Sequence, residues 1–154
     1  MTKPLEGQRK SQGKKYAIVA SRFNEFITKR LLDGCLEELY ACGVKKTDIT
    51  VVWVPGSFEI PVVATKLAKK KSIAAVICLG AVIRGETFHF ELVAQGAALG
   101  IAQAALLTGK PIVFGILTTD TVDQAYKRSQ EKGHNKGREA ASAAVQMSNL
   151  LESI

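Results

Sequence analysis

Four short apolar runs alternate with segments of helical periodicity, and this alternation restricts the possible folds more than any other feature of the chain. The runs cover residues 16–20, 49–54, 73–79 and 112–117. Near-continuous apolar strands that alternate with helices imply a parallel sheet covered on both faces. We therefore predict a flavodoxin-like, three-layer αβα fold, in which a four-stranded parallel sheet of order 2-1-3-4 carries helices on both faces.

Residues that favour helix ends delimit the predicted helices. Gly43 and Gly109 follow the first and third helices, where a left-handed C-terminal cap is common. Asp120 or Thr121 is a suitable N-cap for the fourth helix. The third helix, over about residues 88–107, is the longest, and a final helix closes the chain.

The chain length fits one domain, which we expect to cover residues 16–154. A domain of this size buries roughly 68–70% of the surface that its unfolded chain exposes, so a substantial core is possible. Residues 1–15 form a polar N-terminal arm with little structural signal. This arm could lie as an edge strand on the sheet of a neighbouring subunit and cover its exposed amides.

The composition, 47% hydrophobic and 23% charged residues, is typical of a globular protein. The longest apolar runs are shorter than the ~18 residues that a membrane span needs. The lysine-rich start of the chain is not followed by the apolar segment of a signal peptide. We therefore expect a soluble, cytoplasmic protein that does not bind a membrane.

A basic net charge can indicate nucleic-acid binding, and cysteines can indicate a metal site, but the sequence favours neither here. The net charge is +7, but no aromatic residues are interleaved with the lysine clusters for base stacking, so we expect no nucleic acid. A solvated surface, or attraction of a phosphorylated substrate, is the simpler account. Cys35, Cys42 and Cys78 lack metal-ligand spacing, which indicates packing thiols and no metal site.

Polar residues collect where the predicted strands end. These loops contain residues 23–24, 56–59, 82–89 and 118–120. In a parallel α/β sheet such loops share one edge, where ligands bind. We expect Gly80 to break the third run before a polar loop, and the amides of residues 85–87, at the following helix N-terminus, to form a candidate phosphate cradle.

Several residues at this edge have two interpretations from the sequence alone. His89 could pack in the core, or act as a general acid/base that the helix dipole keeps neutral. Phe23 could be a staple onto the first helix or a stacking platform for a flat heterocycle. Glu59 could favour a helix start or hold polyol hydroxyls. Arg128 and Lys136 could be surface cations, although an arginine also suits bidentate phosphate binding.

Several segments together are similar in sequence to lumazine synthase, an enzyme family of riboflavin biosynthesis. They are VPGSFEIP (54–61), GAVIRGETFHFE (80–91), FGILTTDT (114–121), Arg128 and NKGREAA (135–141). The resemblance extends over essentially residues 16–151, in the family's order and spacing. Ser129 and Gln130 depart from it, since an Ala-Gly pair is common there, and this departure could alter the conformation of the loop.

The resemblance implies a condensation between two small molecules. The substrates would be 5-amino-6-ribitylamino-2,4-pyrimidinedione (the pyrimidinedione) and 3,4-dihydroxy-2-butanone 4-phosphate (the butanone phosphate). The products would be 6,7-dimethyl-8-ribityllumazine, phosphate and water. No metal and no organic cofactor are implied. The alternative function is a non-catalytic, flavodoxin-like module that binds a flavin or a nucleotide phosphate.

The resemblance also assigns roles to residues. Those implied for the pyrimidinedione and its ribityl chain are Phe23, Asn24, Ser57, Phe58, Glu59, Val82 and Ile83. Those implied for the phosphate are Gly85, Glu86, Thr87 and Arg128, while His89 would move protons. Phe114, Arg128 and Lys136 match positions that the family contributes from a neighbouring subunit. Glu139 matches a carboxylate near the site, with no role assigned.

Finally, the resemblance implies a homo-oligomer with active sites between subunits. The family builds a pentameric ring, and in one branch twelve rings form an icosahedral shell of 60 subunits, which can enclose riboflavin synthase. The segment between Arg128 and Lys136 is short and lacks the extra residues of the pentamer-only branch. We therefore favour the shell over the free pentamer.

Overall fold

The computed structural model describes residues 2–154, and its sheet has the predicted order, β2-β1-β3-β4, with all neighbours parallel. The strands are β1 (Lys15–Ser21), β2 (Ile49–Val54), β3 (Ile73–Ile83) and β4 (Ile112–Thr119). The helices are α1 (Glu25–Ala41), α2 (Ile60–Ala68), α3 (His89–Thr108), α4 (Val122–Lys127) and α5 (Lys136–Ser153). Two short 3-10 turns, Lys46–Asp48 and Ser57–Glu59, precede β2 and α2.

The two central strands are buried on both faces, because helices cover each side of the sheet. Tyr16 and Ile18 of β1 pack into a core with α1 and α5, whereas Ala17 and Val19 pack into a second core with α2 and α3. This alternation follows from the two-residue period of a strand. The predicted fold class, with three layers in the order helix, sheet, helix, is confirmed.

The predicted helix ends agree closely with the structure. Gly43 and Gly109 have φ values of 87° and 68°, the left-handed conformation that favours glycine after a helix. Thr121, and not Asp120, caps α4, since its hydroxyl accepts a hydrogen bond from the amide of Gln124 at 3.1 Å. These residues act locally, which is why the sequence alone located them.

The expectation that Gly80 ends the third strand was wrong. Strand β3 continues through Gly80 to Ile83. A Cβ atom at Gly80 would lie 2.6 Å from Ser21 Oγ and 2.7 Å from Ser57 Oγ. Glycine is therefore needed for a close approach between neighbouring elements, and the polar loop begins only at Arg84.

The described part of the N-terminal arm packs on this chain's own helices α1 and α5. The amide of Ser11 donates to the carbonyl of Cys42 at 2.7 Å, and Arg9 forms an ion pair with Glu38. Asn149 of α5 donates to the carbonyls of Gln8 and Lys10. Residues 8–11 are thus held by their own subunit, while an edge strand on a neighbour's sheet stays a prediction for the arm.

The long helix α3 has an unusually apolar surface. Only Ala97, Ile101 and Ala104 are buried, whereas its leucines 92, 99, 106 and 107 are exposed. By length and composition alone, this helix is long and apolar enough to cross a membrane, a property that core helices of soluble proteins share. Its exposed leucines leave a surface that water solvates poorly.

The three cysteines are unpaired and buried, as the spacing predicted. Burial raises the pKa of the Cys35 and Cys78 thiols, so both stay protonated near neutral pH. Among residues 2–154, no group of three His, Cys, Asp or Glu side chains is placed to hold a metal ion.

Candidate active site

An open cavity of about 720 Å³ lies at the carboxyl ends of β1, β2 and β3. Its lining consists of Phe23, Pro55, Gly56, Ser57, Phe58, Glu59, Ala81, Val82, Ile83, Gly85, Thr87, His89, Phe90, Leu92 and Val93. Nine of the predicted site residues are among them. Five others, Asn24, Glu86, Phe114, Arg128 and Lys136, are not.

The position of Phe23 depends on a turn at Asn24. Asn24 has a φ of 59°, and in residues 2–154 it is the only residue besides glycine with a positive φ. Its side-chain amide donates to the carbonyl of Ala81 at 2.8 Å, which ties the turn to β3. The Phe23 ring is 71% exposed, so it does not act as a staple onto α1. Its face is free to stack on a ligand.

The turn between β2 and α2 presents an aromatic ring and a free carboxylate. Phe58 is 61% exposed and lies over Gly96 of α3, where a Cβ atom would come within 2.6 Å of the ring. Glu59 precedes α2, yet its side chain makes no capping hydrogen bond. Among the described residues it also has no ion-pair partner. Its oxygens are therefore free to accept hydrogen bonds from hydroxyl groups.

The loop after β3 leads into the first turn of α3. Its backbone is tied to β4, since the amide of Arg84 donates to the carbonyl of Thr119 at 2.8 Å. Gly85 has no atom within 4 Å of a built Cβ, so its backbone faces open space. His89 is the first residue of α3 and is exposed, which excludes the core-packing interpretation. Its amide lies 3.4 Å from Thr87 Oγ1.

Two nitrogens of the Arg84 guanidinium have partners within the subunit. Nε binds Asp120 at 2.7 Å, Nη1 forms an ion pair with Glu91, and the guanidinium carbon lies 4.4 Å from the ring centroid of Phe90. The hydrogen bonds to Asp120 and Glu91 raise the pKa of Arg84, and the bond from Arg84 lowers the pKa of Glu91. Arg84 thus ties the loop to the end of β4 and to α3, and it lines no part of the cavity.

The cavity lacks a lysine or arginine for a phosphate group. In its lining, which comes entirely from the described residues, Glu59 and His89 are the only acidic or basic side chains. A phosphate on the amides of the loop would have hydrogen-bond donors but no cationic side chain. Any cation for an anion bound in this cavity would therefore have to come from outside the lining of one chain.

The predicted cations lie together outside this cavity. Arg128 follows α4 and Lys136 begins α5, and the amide of Lys136 donates to the carbonyl of Arg128 at 2.9 Å. Phe114 is half-buried on β4, an edge strand. None of these three residues lines the cavity of its own subunit.

Sequence reasoning missed two kinds of residue at the site. Leu92 and Val93 line the cavity, and their signal was their spacing of one helical turn from His89. The contact between Arg84 and Asp120 had no local signal, because it depends on the pairing of β3 with β4.

The fold and the cavity define a class of protein: a doubly wound α/β protein whose ligand site lies where the parallel strands end. Comparison with known proteins identifies the family within that class. The family model for 6,7-dimethyl-8-ribityllumazine synthase matches residues 13–152. The 6,7-dimethyl-8-ribityllumazine synthase of Desulfotalea psychrophila is 51% identical over 150 residues, which cover 97% of each chain. The chain belongs to the lumazine synthase family, as its motifs predicted.

Proposed function

We propose that this protein catalyses the condensation of the pyrimidinedione with the butanone phosphate, which gives 6,7-dimethyl-8-ribityllumazine, phosphate and water. Two observations support this proposal: similarity to the family over 97% of the chain, and the composition of the cavity. A single cavity combines exposed aromatic rings, an unpaired carboxylate, open backbone amides and a histidine. These groups match a flat heterocycle, a polyol chain, a phosphate and a proton transfer, in that order.

The pyrimidinedione would occupy the side of the cavity formed by β1 and α2. Phe23 offers its exposed ring for stacking, while Val82 and Ile83, which line the cavity, would contact the heterocycle through their backbones. Ser57, Phe58 and Glu59 would hold the ribityl chain. Asn24 contributes through the turn that it stabilises, because its amide is already bound to Ala81.

The butanone phosphate would bind at the loop before α3. The amides of Gly85, Glu86 and Thr87 form the anion cradle, with the positive end of the helix dipole behind them. The missing cation would be Arg128 from a neighbouring subunit, accompanied by Phe114 and Lys136 of the same neighbour. The observation that supports this is the cavity's lack of any lysine or arginine of its own.

The reaction needs correct positioning of the two reactants more than it needs strong catalytic groups. The 5-amino group attacks the ketone and water leaves as an imine forms. Loss of the proton on the neighbouring carbon then lets the phosphate depart with its C–O bond electrons and leaves an enol, which becomes a ketone. The ribitylamino nitrogen attacks this ketone and closes the ring with loss of a second water. Holding both reactants together supplies most of the acceleration, and His89 moves the protons at the exposed end of the cavity.

We also propose a pentameric ring, assembled further into an icosahedral shell in the cytoplasm. The exposed leucines of α3 need a partner, and a phosphate in the cavity needs a cation from a neighbour. The loop between Arg128 and Lys136 closes on itself through a bridge between Ser129 and Asn135, without an inserted segment.

Light scattering in phosphate and in low-ionic-strength buffer tests the shell, since a single species of pentamer mass in both buffers would refute it. Co-purification from an extract tests whether riboflavin synthase is enclosed.

The activity is tested by mixing both substrates with the purified protein. We expect the absorbance of the lumazine product to rise together with released orthophosphate, well above the rate without protein. A non-catalytic flavin- or nucleotide-binding module would bind ligands but leave that rate unchanged, and this result would refute the proposal.

A further inference from the structure

The loop of residues 128–136, which we call the cation loop, has buried supports and exposed ends. Ser129 and Asn135 are only 0% and 2% exposed, although Arg128 beside the first of them is exposed. The two buried residues face each other in an antiparallel bridge. The loop therefore presents its cationic side chains outward from a backbone fixed at both ends.

Asn135 uses its side-chain amide in three directions. Nδ2 donates to the carbonyls of Arg30 and Gln130, each at 3.1 Å, and Oδ1 accepts from the amide of Arg138 at 3.1 Å. The first bond ties the loop to α1, the second closes the loop across itself, and the third caps α5. Two donors and one acceptor on one short side chain are available only from an amide.

The surroundings leave no room for Asn135 to move. A Cβ atom at Gly34 of α1 would lie 2.5 to 2.6 Å from its side-chain atoms, and one at Gly137 would lie 1.9 Å from the carbonyl oxygen of Leu31. These two glycines let α1 and α5 approach closely around the amide. Packing this tight transmits a shift of the side chain directly to the backbone.

A second bond holds the other end of the loop. Nε of Arg30 donates to the carbonyl of Ser129 at 2.9 Å, and its guanidinium carbon lies 5.2 Å from the centroid of the Tyr126 ring. Arg30 thus contacts both ends of the loop, through its side chain at Ser129 and through its carbonyl at Asn135. The distance between Arg128 and Lys136 is set by these bonds and by their own backbone hydrogen bond.

We infer that Asn135 is a positioning residue for phosphate binding, because its two donated hydrogen bonds fix the place of Arg128 and Lys136 as one preformed pair. This inference rests on the proposed function. Asn135 does not touch the substrate in this account. It acts on the neighbouring subunit's site through the two cations, so its loss should affect the butanone phosphate and spare the pyrimidinedione.

Asn135→Asp separates positioning from helix capping. The carboxylate still accepts from the amide of Arg138, but it cannot donate to the carbonyls of Arg30 and Gln130. We expect KM for the butanone phosphate to rise about tenfold, below the roughly hundredfold loss that a 1 Å misplacement can cause. KM for the pyrimidinedione should change less than about twofold. Asn135→Ser keeps an acceptor and one donor, so its KM for the butanone phosphate should lie between those of the unsubstituted protein and Asn135→Asp. This variant replaces Asn135→Asp in the test if the aspartate variant does not fold.

The matched control is Val145→Ala, a fully buried position further along α5 that should lower thermal stability without touching the loop. If it raises KM for the butanone phosphate as much as Asn135→Asp does, the effect is general destabilisation and the inference fails. It also fails if Asn135→Asp raises both KM values equally.

In an Arg128→Ala background the effect of Asn135→Asp on KM for the butanone phosphate should shrink, since sites that act through one another are not additive. Turnover of the unsubstituted protein is measured first, because its absence would refute the proposed function and the inference together, whereas turnover with an unchanged KM in both Asn135 variants would refute the inference alone.

Discussion

In the proposed assembly His89 and Arg128 would contribute to one site from opposite sides of a subunit boundary. His89 lies in the lining of the cavity, at the first position of α3, and is exposed. Arg128 lies at the end of α4 and lines no part of that cavity. In this chain its guanidinium donates to the carbonyl of Gln124 at 3.0 Å, a contact that a phosphate could replace.

His89→Ala should lower kcat while the protein keeps its fold, because the ring is exposed and fills no core space. A positioned acid/base contributes about 10²–10⁴-fold, and we expect the lower end since the uncatalysed condensation is chemically accessible. Steady-state kinetics with thermal unfolding as a control measures this. Unchanged turnover would assign His89 a binding role at most.

Arg128→Ala should raise KM mainly for the butanone phosphate. Loss of a hydrogen bond to a charged group costs about 1.5–3 kcal/mol, or roughly ten- to a hundredfold in affinity. The measurement varies each substrate in turn at saturation of the other. Lys127→Ala, one residue earlier on exposed α4, is the matched control. Equal, small effects of both variants on both substrates would remove Arg128 from the phosphate site.

At the scale of elements, Arg84 ties the loop between β3 and α3, which holds the proposed phosphate cradle, to the end of β4 and to α3. Arg84 follows β3, Asp120 follows β4, and Glu91 is in the first turn of α3. Parallel pairing of β3 with β4 brings the first two together. The loop amides are therefore held by contacts to two other elements as well as by their own turn.

The Arg84–Glu91 pair should make stability sensitive to acid. Arg84 lowers the pKa of Glu91 in the folded state, so the unfolded chain binds this proton more readily. The contribution is present above the ordinary glutamate pKa, about 4.3, and is lost as pH falls through the lowered native value. Glu91→Gln should lower Tm at pH 7 and make no difference at the acid end. A difference in Tm that is constant with pH would contradict this account.

At the scale of the whole molecule, the proposed assembly divides each active site between two chains. One chain's cavity would supply rings, carboxylate, amides and histidine, while its cation loop and Phe114 would serve the cavity of a neighbour. A ring of subunits would complete every site by the same contact, as cyclic symmetry requires. The exposed leucines of α3 supply apolar surface for such assembly.

Subunit mixing tests the shared site directly. Oligomers of His89→Ala and of Arg128→Ala should each be poorly active. After joint unfolding and refolding, random mixing should restore about a quarter of the sites, in which an intact His89 meets a neighbour's intact Arg128. Each variant refolded alone is the control. No gain in activity on mixing, or an active monomer, would show that the site lies within one chain.

The sequence by itself determined the four strand–helix units, most of their ends, the family and most of the cavity lining. These features depend on local periodicity, on caps such as Gly43 and Thr121, and on loops that a parallel sheet necessarily gathers at one edge. The sheet order required knowledge of the fold class as well, since no local signal specifies which strands pair.

Only the tertiary structure decided where segments distant in sequence approach one another. Strand β3 continues through Gly80 because its pairing with β4 extends to Ile83, and two serines from other elements leave no space for a side chain at Gly80. The arm packs on α1 and α5, Arg84 binds Asp120, and Asn135 fits beside Gly34. Each of these contacts depends on side-chain volume and on hydrogen bonds between elements that are distant in sequence. Neither periodicity nor composition encodes the distances between such elements.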